Sequence, residues 1–239
     1  MSPCKLCLEI RHLRRSHIVP EFLHKALYDE KHRARRIELG KDVPGYLQKG
    51  LRDRLLCDAC EQFLNDRYEK PFYAQWQEGR LLPTRLLPDR VHYVTGVDYA
   101  TIKLFLLSVL FRASVSTLGP FSGVSLGPHE ERLRLMVLQQ DPGEPTQYPV
   151  VGMFTVDEAG TILHSVASPV PYRLFRQRAY VFMFGGCEWA FFVSSHRTAE
   201  VTGIGIRSDG VACFGATLLR DTRTMRAMRE ANLEASRGR

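Results

Sequence analysis

An α+β fold is predicted by three observations along the 239 residues. Two Cys-x-x-Cys pairs, at Cys4 and Cys7 and at Cys57 and Cys60, lie in the N-terminal part. Apolar residues at helical spacing dominate the middle. After Pro149 the pattern changes to short runs rich in Val, Ile, Phe and Tyr, broken by turn residues. The expected organisation is a small metal-binding module over 1–78, then an α+β domain over 79–239. That second part combines a helical middle, an antiparallel sheet and a terminal helix. Apolar residues make up 44% and charged residues 25%, as in ordinary globular chains. A disordered chain, a collagen and a small disulfide scaffold are excluded.

In order, residues 1–20 are short and polar and end at Pro20. Glu21 to Asp29 is predicted as a short helix with Phe22, Leu23, Ala26 and Leu27 on one face. Lys31 to Arg36 is a basic run, followed by a loop-rich stretch with Gly40, Pro44, Gly45 and Gly50. Arg54 to Cys57 is a short strand. Asp58 can cap a helix reaching about Gln77, with Phe63, Leu64, Tyr68, Phe72, Tyr73 and Trp76 around it. Residues 79–98 are a connector. Asp98 to Thr117 is a largely buried helix, and Glu130 to Gln140 a second one. Val150 to Val156, Ile162 to Ala167, Tyr172 to Phe184, Cys187 to Ser194 and Val211 to Leu218 are strands. Gly185-Gly186 is a two-residue hairpin turn. Arg220 to Ala235 is a polar C-terminal helix, frayed at Arg237-Gly238-Arg239.

The opening residues carry no basic-then-apolar signal pattern. The longest apolar stretch, Ile102 to Phe111, is half a membrane span and contains Lys103. A cytoplasmic protein with no membrane partner is expected. In that setting six cysteines point to metal binding rather than disulfides. A two-residue spacer lets both thiolates of a knuckle face one ion, and four thiolates complete a closed tetrahedral zinc site. Cys4, Cys7, Cys57 and Cys60 are therefore the expected structural zinc ligands, in a treble-clef (ββα-like) layout of knuckle, hairpin and helix. A redox role for one pair is the alternative. Cys187 and Cys213 sit singly in apolar strands, as ordinary buried thiols do.

Between the pairs comes Arg14-Arg15-Ser16-His17-Ile18-Val19-Pro20. With Cys4-x-x-Cys7 before it and Leu55-Leu56-Cys57-Asp58-Ala59-Cys60-Glu61 after it, this resembles the zinc-stapled HNH endonuclease family over about residues 1–70. The resemblance implies metal-dependent hydrolysis of a nucleic-acid phosphodiester. His17 falls on the family's general base. Ser16 falls where an Asp usually stands, and Glu61 where a His or Asn usually stands. Glu61 is then the candidate ligand of a catalytic Mg²⁺ or Mn²⁺, with Asn65, one helical turn on, orienting. A bacterial defence or mobile-element setting is implied by the same likeness. Each residue also has a purely structural reading. His17 can fix the turn through a backbone carbonyl, and Glu61 favours a helix dipole.

The chain carries 33 Lys and Arg against 26 Asp and Glu, a formal charge of +7. Arg14, Arg15, Arg33, Arg35 and Arg36 are the candidate phosphate contacts. Residues 1–80 carry 16 basic against 12 acidic residues, so the module is only mildly basic. DNA is the favoured partner over RNA, and the C-terminal domain is a candidate docking surface for a protein. His164 and His196 stand without companions at metal or triad spacing, and no phosphate-binding loop or nucleophile elbow occurs. Two functions remain open: an HNH-type endonuclease, and a catalytically degenerate zinc module that binds nucleic acid or a protein. Ser16 favours the second. Substrate, oligomeric state and the role of 79–239 are not legible.

Overall fold

A computed structural model describes residues 2–36, 45–78, 81–194, 201 and 204–237. Strands β1 (Ser2–Pro3) and β2 (Ile10–Arg11) pair around a tight knuckle. Leu8 takes a left-handed φ of 65° there, and its N–H reaches the Cys4 carbonyl at 2.9 Å. β3 (Leu13–His17) follows. The helix expected over Glu21 to Asp29 is instead two 3₁₀ turns, Glu21–Leu23 and Lys25–Leu27, neither with a side-chain cap. So short a segment has too few hydrogen bonds to hold a regular α-helix. β4 (Ala34–Arg36) pairs with β5 (Gly45–Leu47). The Gly40 and Pro44 signals lie outside the described residues. β6 (Arg52–Cys57) then returns antiparallel to β3, with Arg15 opposite Arg54 and His17 opposite Arg52.

Helix α1 runs continuously through Asp58–Leu64, Asn65–Glu69, Lys70–Tyr73 and Ala74–Glu78. Its N-cap is Cys57 and not Asp58, which is already helical. The Asn65–Glu69 turn is π-helical, with the Lys70 N–H reaching back to the Asn65 carbonyl. Pro71 supplies the reason. It has no N–H to give residue 67, so the helix widens there. Phe72 stacks on Phe105 at 3.8 Å between ring centroids, and Trp76 Nε1 donates to the Gly185 carbonyl at 3.2 Å. The helix that begins at the second cysteine pair thus ends against the sheet.

β7 (Val91–Thr95) lies inside the stretch read as a connector and pairs with a sheet strand. α2 (Tyr99–Ser114) is capped by Asp98, whose carboxylate accepts the Thr101 N–H at 3.1 Å, and is buried from Ile102 to Ala113. Lys103 is tolerated in it because its amine donates to Tyr99 Oη and to the Glu144 and Gln147 carbonyls at 2.7–2.8 Å. Burial pushes that amine down to about 7. α3 (His129–Gln139) packs beside α2.

The sheet is built from β8 (Val150–Val156), β9 (Ala167–Leu174), β10 (Gln177–Phe184), β11 (Cys187–Phe192), β12 (Gly205–Ile206) and β13 (Val211–Leu218). The order is β12-β13-β8-β11-β10-β9, with β7 also on β13. It is mixed rather than antiparallel, because β13 runs parallel to β8. A parallel neighbour needs a long excursion of the chain, which strand periodicity does not reveal. Of the stretch Ile162 to Ala167, Ile162 makes an isolated bridge with Val156 and Ala167 already opens β9, with no strand between them. Tyr172 to Phe184 is two strands, broken at Phe175 and Arg176, both at positive φ (48° and 61°). The Gly185-Gly186 turn joins β10 to β11 as expected. α4 (Arg223–Arg237) docks through Glu188, a buried carboxylate that accepts from Thr224 N and Oγ1 at 2.8 and 2.9 Å. Residues 238–239 lie outside the described set.

One continuous buried cluster runs from Cys4 and Leu6 through Leu64, Phe72 and Phe105 to Trp189 and Phe214. No helix among the described residues is long and apolar enough to cross a membrane.

Candidate metal centre

The β1–β2 knuckle supplies Cys4 and Cys7. The end of β6 and the first turn of α1 supply Cys57 and Cys60. The four sulfurs lie within 4.8 Å of one another. Cys7 and Cys57 are 3.9 Å apart. A tetrahedron with metal–sulfur bonds of about 2.3 Å has sulfurs about 3.8 Å apart, so the set fits one ion such as structural zinc. Cys4, Cys57 and Cys60 are buried, and Cys7 is partly exposed. The Cys57 N–H donates to Cys4 Sγ at 3.3 Å. The Cys60 thiol and backbone N–H groups around Cys4 pull the Cys4 thiol down to about 4, and Cys60 is pushed up in return. Such a site holds one thiolate readily, and further thiolates need a cation to share. Arg134 on α3 braces the knuckle through the Leu6 carbonyl. Among the described residues, these cysteines are the one group of three or more His, Cys, Asp or Glu that closes on a point. His164 joins no such group, and His196 is outside the described residues. Cys187 and Cys213 are buried thiols.

Positions 16 and 61 meet. Ser16 is 0% exposed, its hydroxyl donates to Glu61 Oε1, and it accepts the Leu56 N–H at 3.2 Å. Burial pushes the Glu61 carboxyl up, against the pull of Ser16 and Arg112. Arg112 reaches in from α2, almost fully buried. Its Nη1 donates to Glu69 Oε1 at 2.7 Å and to the His17 carbonyl at 2.9 Å. The π turn carries Glu69 onto this face. Asn65, expected beside Glu61, instead donates weakly to Asp66 at 3.4 Å.

A catalytic Mg²⁺ or Mn²⁺ fits this set poorly. Such ions take carboxylates and waters in an open octahedral shell. Glu61 is already engaged by a hydroxyl, and a buried guanidinium supplies the positive charge.

His17 faces the other side of β3. Its Nε2 lies 2.8 Å from Glu21 Oε2 and 3.0 Å from the Lys49 carbonyl. Both neighbours are acceptors, so the proton sits on Nε2 and Nδ1 keeps its lone pair. Burial pulls the imidazole below its usual range, which Glu21 only partly offsets. Glu21, which also accepts from Tyr28 Oη at 3.0 Å, was not singled out from the sequence. Its i,i+4 spacing from His17 was the available signal. His24 sits close by, 3% exposed, with no partner for Nε2 among the described residues. Burial, and the neighbouring His17, pull it down to about 4. Glu21 and a backbone bond to Val19 act the other way.

A pH prediction follows for His24. Its folded value lies below the ordinary 6.5, so the unfolded chain binds the proton first. Stability is whole above pH ~6.5 and falls as pH drops toward ~4, by about 3 kcal/mol at most. Urea unfolding across that window is expected to show this slope, and His24→Leu to flatten it. An unchanged slope in the variant would remove His24 as its source.

No protein-family model matches the chain, and neither curated proteins nor solved structures give a match.

Of the predicted basic contacts, Arg14 lies 3.5 Å from Asp58. Arg33 is held by Asp29 at 2.9 Å and stacks over Tyr46. Arg15 and Arg35 are exposed, and the Arg36 side chain is outside the described residues. Arg15 and Arg54 face each other across the β3–β6 ladder, and neither has a carboxylate at ion-pair distance among the described residues.

Proposed function

We propose that the chain is a zinc-stapled, HNH-like treble-clef protein that grips nucleic acid by its phosphates without cutting it through a divalent ion. The carrying observation is the exposed Arg15–Arg54 pair beside the cysteine site. Like charges directly opposite each other in a ladder are destabilising. An anion laid across the β3–β6 ribbon turns that repulsion into attraction. The zinc would be held by Cys4, Cys7, Cys57 and Cys60 and would supply rigidity alone. DNA is the proposed partner. Ser16, Glu61, Glu69 and Arg112 form a buried polar joint, an unpromising place for a catalytic Mg²⁺ or Mn²⁺.

The experiment is fluorescence anisotropy of a labelled DNA duplex with the full zinc-loaded chain across a salt series. Binding is expected to weaken steeply with salt. Arg15→Gln with Arg54→Gln is expected to lower the slope of log affinity against log salt by about 1.8. A slope equal to that of the unaltered protein, in a folded variant, would refute this surface.

A second reading, endonuclease activity with His17 as base, is favoured by one observation: Nδ1 of His17 is left with its lone pair by the acceptors around Nε2.

A further inference from the structure

The far edge of the sheet carries a second basic surface that the sequence reading did not single out. β9 and β10 form a hairpin over Pro171-Tyr172-Arg173-Leu174-Phe175-Arg176-Gln177-Arg178. It holds three arginines and no acid. Arg173 lies directly opposite Arg178 in the ladder. All three are exposed, and among the described residues none has a carboxylate at ion-pair distance. Arg178 lies against the Tyr180 ring at 5.6 Å, and its charge, with that of Arg132, holds the nearby His129 imidazole below its usual range after burial has done so. Facing arginines without a counter-charge lower the stability of a hairpin.

The turn adds a second cost. Phe175 and Arg176 occupy the two central positions, with φ of 48° and 61°. Tight hairpin turns put Asn or Gly there, because a side chain at positive φ is strained. The strained pair projects one aromatic and one cation from the tip. Phe175 is 56% exposed and Tyr172 39%. Phe175 is steadied by Phe192 at 6.2 Å and a 22° tilt, which leaves its outer face open. Tyr172, Arg173, Arg176 and Arg178 line an open groove of about 570 Å³. β9 is the last strand of the sheet, so among the described residues no further strand pairs with its outer edge.

We infer that this hairpin binds single-stranded nucleic acid, with the arginines on successive phosphates and Phe175 and Tyr172 stacking on unpaired bases. Cations interleaved with exposed aromatics match that ligand. A duplex presents no free base face, and an acidic peptide has no use for a stacking platform. The inference shares its class of partner with the proposed function but uses a separate surface, more than a hundred residues away in sequence.

The test is anisotropy of a labelled single-stranded oligonucleotide, as DNA and as RNA, with the full chain. Inorganic polyphosphate serves as the charge-only competitor. Arg173→Gln with Arg178→Gln is expected to weaken binding about tenfold or more and to lower the salt slope by about 1.4. Tyr172→Ala with Phe175→Ala is expected to weaken binding about tenfold with the slope unchanged. Arg15→Gln with Arg54→Gln is expected to leave single-strand binding in place, so the two surfaces fail separately. Ultraviolet crosslinking of the unaltered protein is expected to mark residues 171–178, which keeps the test open should a variant not fold. Unchanged affinity in both folded hairpin variants, crosslinks elsewhere, or competition by polyphosphate as strong as by the oligonucleotide would overturn the inference.

Discussion

Replacing Cys60 by serine is expected to release the metal and unfold the whole chain, not its N-terminal part alone. Structural zinc contributes about 10–16 kcal/mol of apparent binding energy in small zinc modules, while an entire domain is stable by about 5–15 kcal/mol. Here the site and the core are one body. Cys4, Cys57 and Cys60 belong to the buried cluster that continues through Leu64, Tyr68, Phe72 and Trp76 to Trp189. Without the ion, crowded thiols must give up their charges, and the knuckle loses the bond that holds it to α1. The helix start then frays, and with it the Phe72–Phe105 and Trp76–Gly185 contacts. Metal analysis of the purified protein is expected to give one zinc per chain, and the Cys60→Ser variant none. Thermal unfolding should show a large drop in the variant, matched by strong chelation of the unaltered protein. A metal-free protein with full stability would refute the site.

Arg112→Met is the second large effect, expected at about 3–5 kcal/mol of lost stability. The guanidinium is almost fully buried and serves Glu69, the His17 carbonyl and Ser108. Methionine fills much of the same volume, so the loss is mainly electrostatic. Glu69 is left as a half-buried charge without its partner, beside Glu61. Arg112→Lys should not restore the joint, since one ammonium cannot reproduce the planar fork that reaches several acceptors. Arg112→Met with Glu69→Gln should recover a good part of the loss, because the stranded carboxylate is gone. Urea midpoints of the single and double variants measure this directly. A single variant as stable as the unaltered protein would show that the joint contributes little.

The cysteine pairs are legible in the sequence because a two-residue spacer fixes the knuckle locally and needs no knowledge of the rest. Gly185-Gly186 is legible for the same reason, since only glycine enters both turn positions freely. The turn at Phe175–Arg176 carries no such signature, so two strands read as one. The parallel pairing of β13 with β8 depends on a crossover, which leaves no periodic trace. β7 hides among prolines and charged residues, because an edge strand needs little apolar content. At the site, Ser16 and Glu61 stand out by their places in the motifs, but the hydrogen bond between them needs the packing of β3 on α1. Arg112 does not stand out: it sits in the last turn of an apolar helix and meets His17 only through tertiary packing. Asn65 does stand one regular turn after Glu61, with its N–H on the Glu61 carbonyl, but its side chain turns to Asp66, and Glu69 in the π turn is the residue that meets Arg112.

Incubation of the zinc-loaded chain with supercoiled plasmid and added Mn²⁺, resolved on a gel, tests binding without cleavage most directly. Retarded but intact supercoil is the expected result, the same for the unaltered protein and for His17→Ala. Plasmid nicked only when Mn²⁺ is present, and left intact by the His17→Ala variant, would contradict it and establish His17 as the base of an endonuclease.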